Sequence, residues 1–331
     1  MRKIWLRKTG GPEVLKVEES QESVSVGDDE VQIDVHYSGI NFADVIMRVG
    51  LYQDAPKRPY VPGYEVSGLV TRTGKSVSRV RVGDVVAAGT RFGGYSSEVV
   101  VHQDLVFKMP VGLTLPEAAA LPVNWITAHA ALMDMGRVRP GDRVLLDCAS
   151  GGVGTLAMQI LKQVGAETVG LTSSPSKMDY IRSYGASAMT HEEFARDDSQ
   201  FDLVLNSMGG KSVRQHYNRL VSTGRVIAIG MSSGMRAGKR DYLLFLKMVL
   251  EMPRFSLISM FDKNRGVYAL NALSLLGDER FRSGLGAKWE FVEKFGLKPH
   301  VEKIFPAAEA GAAHALLESR GARGKVLLSW K

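Results

Sequence analysis

The stretch Arg143-Val-Leu-Leu-Asp-Cys-Ala-Ser-Gly-Gly-Val-Gly154, continued by Thr155-Leu-Ala-Met-Gln-Ile-Leu-Lys162, decides how the rest of the chain is read. Val144, Leu145 and Leu146 form a short apolar run of the kind that is buried on both faces of a parallel sheet. After a turn of small residues, Leu156, Ile160 and Val164 recur at helical spacing on one apolar side. Between strand and helix lies Ala149-x-Gly151-x-x-Gly154, a dinucleotide fingerprint with alanine at its first position. Gly151 would let a pyrophosphate approach the backbone with no Cβ in the way, and Gly154 would let the helix pack close to the strand. The helix start offers unpaired N–H groups and the positive end of a dipole. Ser150, Gly151, Gly152, Val153 and Gly154 are therefore the expected phosphate cradle. A second strand from Thr168 to Leu171 makes this a βαβ start, against the plainer possibility of a buried strand-turn-helix with no ligand.

Working outward, strands and helices alternate after the fingerprint, with strands expected at 168–171, 188–190, 201–206, 225–230 and 255–260. Six strands with intervening helices predict a doubly wound parallel α/β sheet. The preceding residues differ. Strand-like runs at 4–6, 15–17, 31–35, 66–71, 85–87, 95–101 and 105–108 are separated by Gly-rich and Asp-rich turns, which predicts a compact, partly barrel-like β domain. A helix is expected at 264–276, and a last strand at 325–329 lies too far along to belong to the parallel sheet. The tail is expected to return to the β domain. The resulting division is 1–122, 123–267 and 268–331, with the nucleotide fold inserted into a β domain and a cofactor in the cleft.

Composition bounds the function. The chain has 331 residues, 45% of them apolar, which is enough for ordinary packed cores. The net charge of +7 favours anionic ligands, but it is spread thinly and no stacking motif accompanies it, so no nucleic-acid partner is expected. The densest basic group is Arg236, Lys239 and Arg240, which leads into an apolar segment through Leu250. That segment is read chiefly as a buried helix or a dimer face, with peripheral contact to an acidic membrane as the alternative. The one cysteine, Cys148, cannot form an internal disulfide, and no signal-like or spanning segment is evident, so a cytoplasmic location is expected.

Taken together, Gly39-Ile-Asn-Phe-Ala-Asp44, Tyr52, Pro62-Gly-Tyr-Glu-Val-Ser-Gly68, Val82-Gly-Asp84, Thr127-Ala-His129, Pro140-Gly-Asp142, Ser150 to Gly154 and Gly324-Lys-Val-Leu-Leu328 carry an end-to-end resemblance. The chain resembles the zinc-free quinone oxidoreductase branch of the medium-chain dehydrogenase/reductase superfamily. Asn206-Ser-Met-Gly-Gly210, Tyr217-Asn-Arg-Leu220 and Gly230-Met-Ser-Ser233 look most like its vesicle amine transport protein 1 subgroup. The resemblance implies a Rossmann sheet inserted in a GroES-like catalytic domain, and a homodimer joined along the outermost strand of the sheet. It also implies NADPH-dependent hydride transfer to a quinone or an α,β-unsaturated carbonyl. The alternative is a cofactor-binding interaction protein with little turnover.

No metal is expected. A catalytic zinc needs three protein ligands and the superfamily's structural zinc lobe needs four cysteines, whereas this chain has one. Where the zinc enzymes it resembles place cysteine and histidine, this chain has Asn41 and Tyr64. Without a Lewis acid, hydrogen-bond donors must polarise the carbonyl. The resemblance points to Asn41 and Tyr52, although Asn41 also suits a helix cap and Tyr52 a packed loop aromatic. Asp44 is expected to be structural and Tyr64 to line the cleft. After Leu171, where an NAD site would carry an acid, the chain has Thr172, Ser173, Ser174 and Lys177, which suits the 2′-phosphate of NADP(H). Glu192 and Glu193 weigh against that choice, because a carboxylate would repel phosphate. Thr127, Asn206, Gly230 and Met231 are further expected cofactor contacts. His216 and His314 show no partner pattern.

Overall fold

The structure is a computed structural model that describes residues 1–22, 24–235 and 241–331. The basic group at 236–240 lies outside the described residues. The chain divides into two units, one of residues 1–123 with 273–331 and one of 124–235 with 241–272.

The second unit holds a six-stranded parallel sheet. Its order is Ser187–Thr190, Glu167–Thr172, Arg143–Leu146, Phe201–Asn206, Leu220–Ala228 and Gly266–Ala269. Numbered along the chain, this is the 3-2-1-4-5-6 order of a doubly wound nucleotide fold. The fingerprint strand Arg143–Leu146 lies at the switch point, with Glu167–Thr172 on one side and Phe201–Asn206 on the other. A ligand crevice opens at the carboxyl ends of the strands on either side of such a switch. Leu145, Val169, Leu171, Val204 and Val226 form the core beneath one face.

The sixth strand differs from expectation. Residues 255–260 are not a strand: Ser256 caps a helix, Leu257–Lys263, which ends at Asn264 in the left-handed region (φ 50°). The edge strand is Gly266–Ala269, within the helix expected at 264–276, of which only Ala272–Gly277 is helical. The helix Tyr242–Leu250 also departs from the buried reading. Among its residues only Met248 is buried, while Leu243, Leu246 and Leu250 are exposed. No helix among the described residues is long and apolar enough to cross a membrane.

The first unit is built on a seven-stranded sheet in which Glu30–Ile40 pairs antiparallel with Glu65–Thr73, Glu98–His102 and Lys325–Ser329. The tail therefore returns to the β sheet, its last strand lying against Glu30–Ile40. Ile4, Ile33, Val66, Tyr95, Val326 and Trp330 belong to a single core. Tyr64 is part of that core rather than a cleft lining; its hydroxyl donates to Met47 Sδ at 3.2 Å, and burial raises its pKa.

Candidate active site

In the nucleotide unit the fingerprint turn is built from backbone. Ala149 N donates to Leu171 O at 3.0 Å and Gly151 N to Cys148 O at 3.0 Å, which ties the turn to the neighbouring strand and to itself. Gly151 is the N-cap of the helix Gly152–Val164, has extended backbone (φ −81°, ψ 176°), and receives no side-chain cap. The first N–H groups of a helix have no partner within it, so this end suits an anion.

The fingerprint glycines have different surroundings. A Cβ built on Gly154 would lie 2.4 Å from Ala149 O and 2.7 Å from its Cα, so only glycine lets the helix approach the turn this closely. A Cβ on Gly152 would run into the Asn124 carboxamide at 2.5 Å, a contact that the sequence reading did not foresee. On Gly151 the one neighbouring atom is Cys148 O at 3.4 Å, so the space beside this residue stays open. Thr155, the fourth residue of the helix, closes the first turn: its hydroxyl lies 2.9 Å from Gly151 O and 2.8 Å from the Tyr180 hydroxyl. Ser150 and Thr127 are largely buried, and Val153 is half-buried.

The end of the second strand carries the expected hydroxyls. Thr172 Oγ1 accepts from Ser174 N at 3.2 Å, Ser174 Oγ lies 2.8 Å from Ser176 Oγ, and Ser173 is exposed. Ser174 precedes the short helix here but gives it no side-chain cap. Lys177 is largely buried, not solvated. Glu193 keeps its charge while it starts the next helix: it accepts from Thr190 N at 2.7 Å, its own N–H donates to Thr190 Oγ1 at 3.1 Å, and these bonds hold its carboxyl below the ordinary glutamate value. This capping box occupies the carboxylate in starting the next helix.

Two loops follow the fourth and fifth strands of the unit. Asn206 shapes the first loop rather than leaving its amide free. Its Oδ1 accepts from Gly209 N at 2.9 Å, and its Nδ2 lies 2.8 Å from Ser212 Oγ and 2.9 Å from His216 Nδ1. His216 thus has a partner that the sequence did not reveal. Asp147, directly after the fingerprint strand, accepts from Ser207 N at 2.6 Å and stitches this loop to the fingerprint. Burial pushes its carboxyl up to about 6 and the His216 imidazole down to about 4. The second loop, with Gly230 and Met231, packs on the first. A Cβ on Gly230 would meet Ser207 O at 2.7 Å.

In the β unit, Asn41 is the N-cap of the helix Phe42–Arg48, and its backbone N–H donates to Asp44 Oδ2 at 2.8 Å. Asp44 also accepts from Gly63 N at 3.1 Å; burial nevertheless pushes its carboxyl up to about 7. Its place is structural, as the sequence suggested. The Asn41 side chain is engaged at both ends. Nδ2 donates to Glu65 Oε1 at 3.1 Å, and Oδ1 accepts from Lys325 Nζ at 2.6 Å. Lys325 and Glu65 are themselves ion-paired, and Glu65 Oε2 accepts from Val123 N at 2.8 Å. Glu65 is 0% exposed, Lys325 3% and Asn41 9%. Gly39 makes room for this carboxylate, since a Cβ there would lie 2.5 Å from Glu65 Oε1. Tyr52 is half-buried against the β core. His314, also without an expected partner, lies 2.9 Å from the Tyr95 hydroxyl. No group of three or more His, Cys, Asp or Glu among the described residues is placed to hold a metal ion.

Comparison with known proteins agrees with this architecture. Residues 27–111 match the profile of the alcohol dehydrogenase GroES-like domain, and residues 178–328 match that of the zinc-binding dehydrogenase family. The chain is 31% identical over 340 residues to the synaptic vesicle membrane protein VAT-1 homolog of Danio rerio, covering 99% of this chain and 70% of that protein. It is also 31% identical over 343 residues to the quinone oxidoreductase of Sus scrofa, covering 99% and 97%. The crystal structure of human synaptic vesicle membrane protein VAT-1 homolog-like protein superposes with a TM-score of 0.84 at 26% identity, covering 100% of this chain and 98% of that one. With a GroES-like β unit, an inserted Rossmann sheet and these relatives along its whole length, the chain belongs to the medium-chain dehydrogenase/reductase superfamily of oxidoreductases.

Proposed function

We propose that the protein is a zinc-independent, NADPH-dependent reductase of quinones or α,β-unsaturated carbonyls. The observation that carries this reading is the contrast at the fingerprint. Gly154 is pressed against Ala149, and the space beside Gly151 stays open at an uncapped helix start. That arrangement suits a pyrophosphate, and the hydroxyls of Ser173 and Ser174 with the Lys177 ammonium suit a 2′-phosphate. The nicotinamide supplies a hydride when bound. The chain's own part is to hold the acceptor and stabilise charge on its oxygen, for which Asn41 and Tyr52 are the assigned donors. In the β unit, the Lys325 ammonium occupies Glu65, a carboxylate that would otherwise be available to a cation, and this supports chemistry without zinc. The relative named a quinone oxidoreductase supports the acceptor class.

Anaerobic turnover of a benzoquinone with NADPH tests the proposal. Tight NADPH binding with no turnover of any quinone or enone would overturn it and favour the interaction protein. The half-buried Cys148 thiol fits a reducing cytoplasm.

The protein is further proposed to be a homodimer. The outer side of Gly266–Ala269 is unpaired among the described residues, and Leu257, Ile258, Phe261 and Tyr268 near it in sequence are exposed. A bare edge strand with apolar surroundings is an aggregation hazard unless covered. Light scattering that reports a monomer would reject this. The exposed face of Tyr242–Leu250 would then be tested against anionic liposomes.

A further inference from the structure

We propose that Lys325, together with Glu65, is a positioning residue for Asn41, fixing which end of its carboxamide can donate. This rests on the reading of Asn41 as a substrate-facing donor. An asparagine side chain can be turned end for end with little change in shape, so its neighbours must decide where the oxygen and the nitrogen go. Here they leave no choice. An ammonium has only donors and an ionised carboxylate only acceptors. Lys325 therefore takes Oδ1 at 2.6 Å, and Glu65 takes Nδ2 at 3.1 Å. A flipped amide would set its NH2 against the ammonium and its oxygen against the carboxylate.

One Nδ2 hydrogen is used on Glu65, and the other has no protein acceptor among the described residues. The backbone is fixed as well, through the Asn41 N–H on Asp44. The outcome is a donor held ready before substrate arrives, the property that makes a hydrogen bond effective in stabilising developing charge. The three residues come from positions 41, 65 and 325, and Gly39 leaves space for the carboxylate between them. The two charges are paired with each other and satisfied by Asn41 and by Val123 N. They form a closed group of buried side chains in which Asn41 is the most accessible.

The test uses the neutral pair Glu65→Gln with Lys325→Met, which removes both charges without stranding either. A glutamine at 65 can bond either end of Asn41, so the orientation is no longer dictated. Quinone kcat and KM, NADPH affinity by fluorescence and thermal unfolding are read for this variant, for Asn41→Ala, and for the triple variant. The expected result is a fall in kcat of about tenfold for the neutral pair, smaller than the loss of a whole oxyanion donor, with NADPH affinity within about twofold. The triple variant is expected to be no slower than Asn41→Ala alone, because both changes act through one amide. A neutral pair with wild-type kcat beside a slow Asn41→Ala would overturn the proposal, as would losses that multiply. A wild-type kcat and KM for Asn41→Ala is a different failure, removing the reading of Asn41 itself. Should the neutral pair not fold, Glu65→Gln with Lys325→Gln carries the test, since two carboxamides can each meet either end of Asn41: a reduced kcat supports the proposal and a wild-type kcat overturns it.

Discussion

Gly151 and Asn41 each cap the start of a helix, one in either unit, and the two caps are built from opposite materials. Gly151 contributes no side chain, leaves the start of its helix without a side-chain cap and borders free space. Asn41 donates its backbone N–H to Asp44, three residues into its own helix, and is gripped through its side chain by Lys325 and Glu65. The first cap is a site made of backbone, suited to a ligand whose charge replaces the missing partner. The second is a site made of side chains, whose charges are already balanced before any ligand arrives. The two should therefore fail differently: a side chain added to the first blocks a ligand, and a side chain removed from the second unbalances the fold.

The largest expected effect is on the second kind. Lys325→Met leaves Glu65 fully buried without its cation, and breaking a buried pair in this way costs about 3–5 kcal/mol. Chemical denaturation should show that loss, and the neutral double variant should recover most of it. If Lys325→Met unfolds at the wild-type denaturant concentration, the β-unit cap is not held by charge and the comparison breaks.

Next in size is a pair of substitutions within one motif. Gly154→Ala puts a methyl 2.4 Å from Ala149 O, so the helix must shift, at about 1–3 kcal/mol for an overpacked site. Gly151→Ala meets nothing closer than 3.4 Å, and its backbone is in an ordinary extended conformation. Its stability should stay within about 0.5 kcal/mol of the wild type, while NADPH binding weakens tenfold or more. Thermal unfolding and a fluorescence titration on the same two proteins separate the effects. Equal affinity for Gly151→Ala and wild type would mean that no phosphate lies against Gly151. Smaller again is Lys177→Ala, expected to weaken NADPH by about tenfold, roughly 1.4 kcal/mol, and NADH hardly at all. Equal losses for the two cofactors would assign Lys177 to packing.

The same contrast explains what could be read from the sequence. The backbone site is contiguous: Ala149, Gly151 and Gly154 with their flanking strand and helix lie between Arg143 and Val164, and alternating strands and helices predict the sheet around them. The side-chain site joins Asn41, Glu65 and Lys325 across nearly the whole chain. Its one local sign is a lysine at the head of the otherwise apolar strand Lys325–Ser329. The edge strand lies at Gly266–Ala269 and not at 255–260: the latter is a short apolar run, for which periodicity does not separate strand from helix. Ser256, ahead of Leu257 within that run, and Asn264 after it are the helix signals, and Leu257, Ile258 and Phe261 follow helical spacing on an exposed face. His216 was unreadable for another reason: its partners Asn206 and Asp147 are brought to it by two different strand ends.

That histidine gives the last prediction, read as a change with pH and not as a loss at one pH, and it tests whether burial or charge rules the nucleotide unit. His216 Nδ1 lies 3.9 Å from Asp147 Oδ2. If the pair behaved as an ion pair, the imidazole pKa would rise and the carboxyl pKa would fall. Burial gives the opposite, the imidazole down to about 4 and the carboxyl up to about 6. A depressed histidine contributes stability that is fully present above its unfolded value near 6.5 and is lost as pH falls towards 4. A raised aspartate works the other way, its contribution being lost as pH rises from its unfolded value of 3.8 through about 6. In the wild type the two slopes offset between those limits, so these groups add little net pH dependence there. His216→Gln removes only the histidine's slope. The stability difference between wild type and variant should be constant from pH 8 to 6.5 and move steadily in the variant's favour as the solution is acidified to pH 4. A difference that moves in the wild type's favour on acidification would mean that His216 is protonated in the fold and pairs with Asp147. The loop after the fourth strand would then be held by charge, like the Asn41 cap, and not by the neutral hydrogen bonds of a backbone-built site.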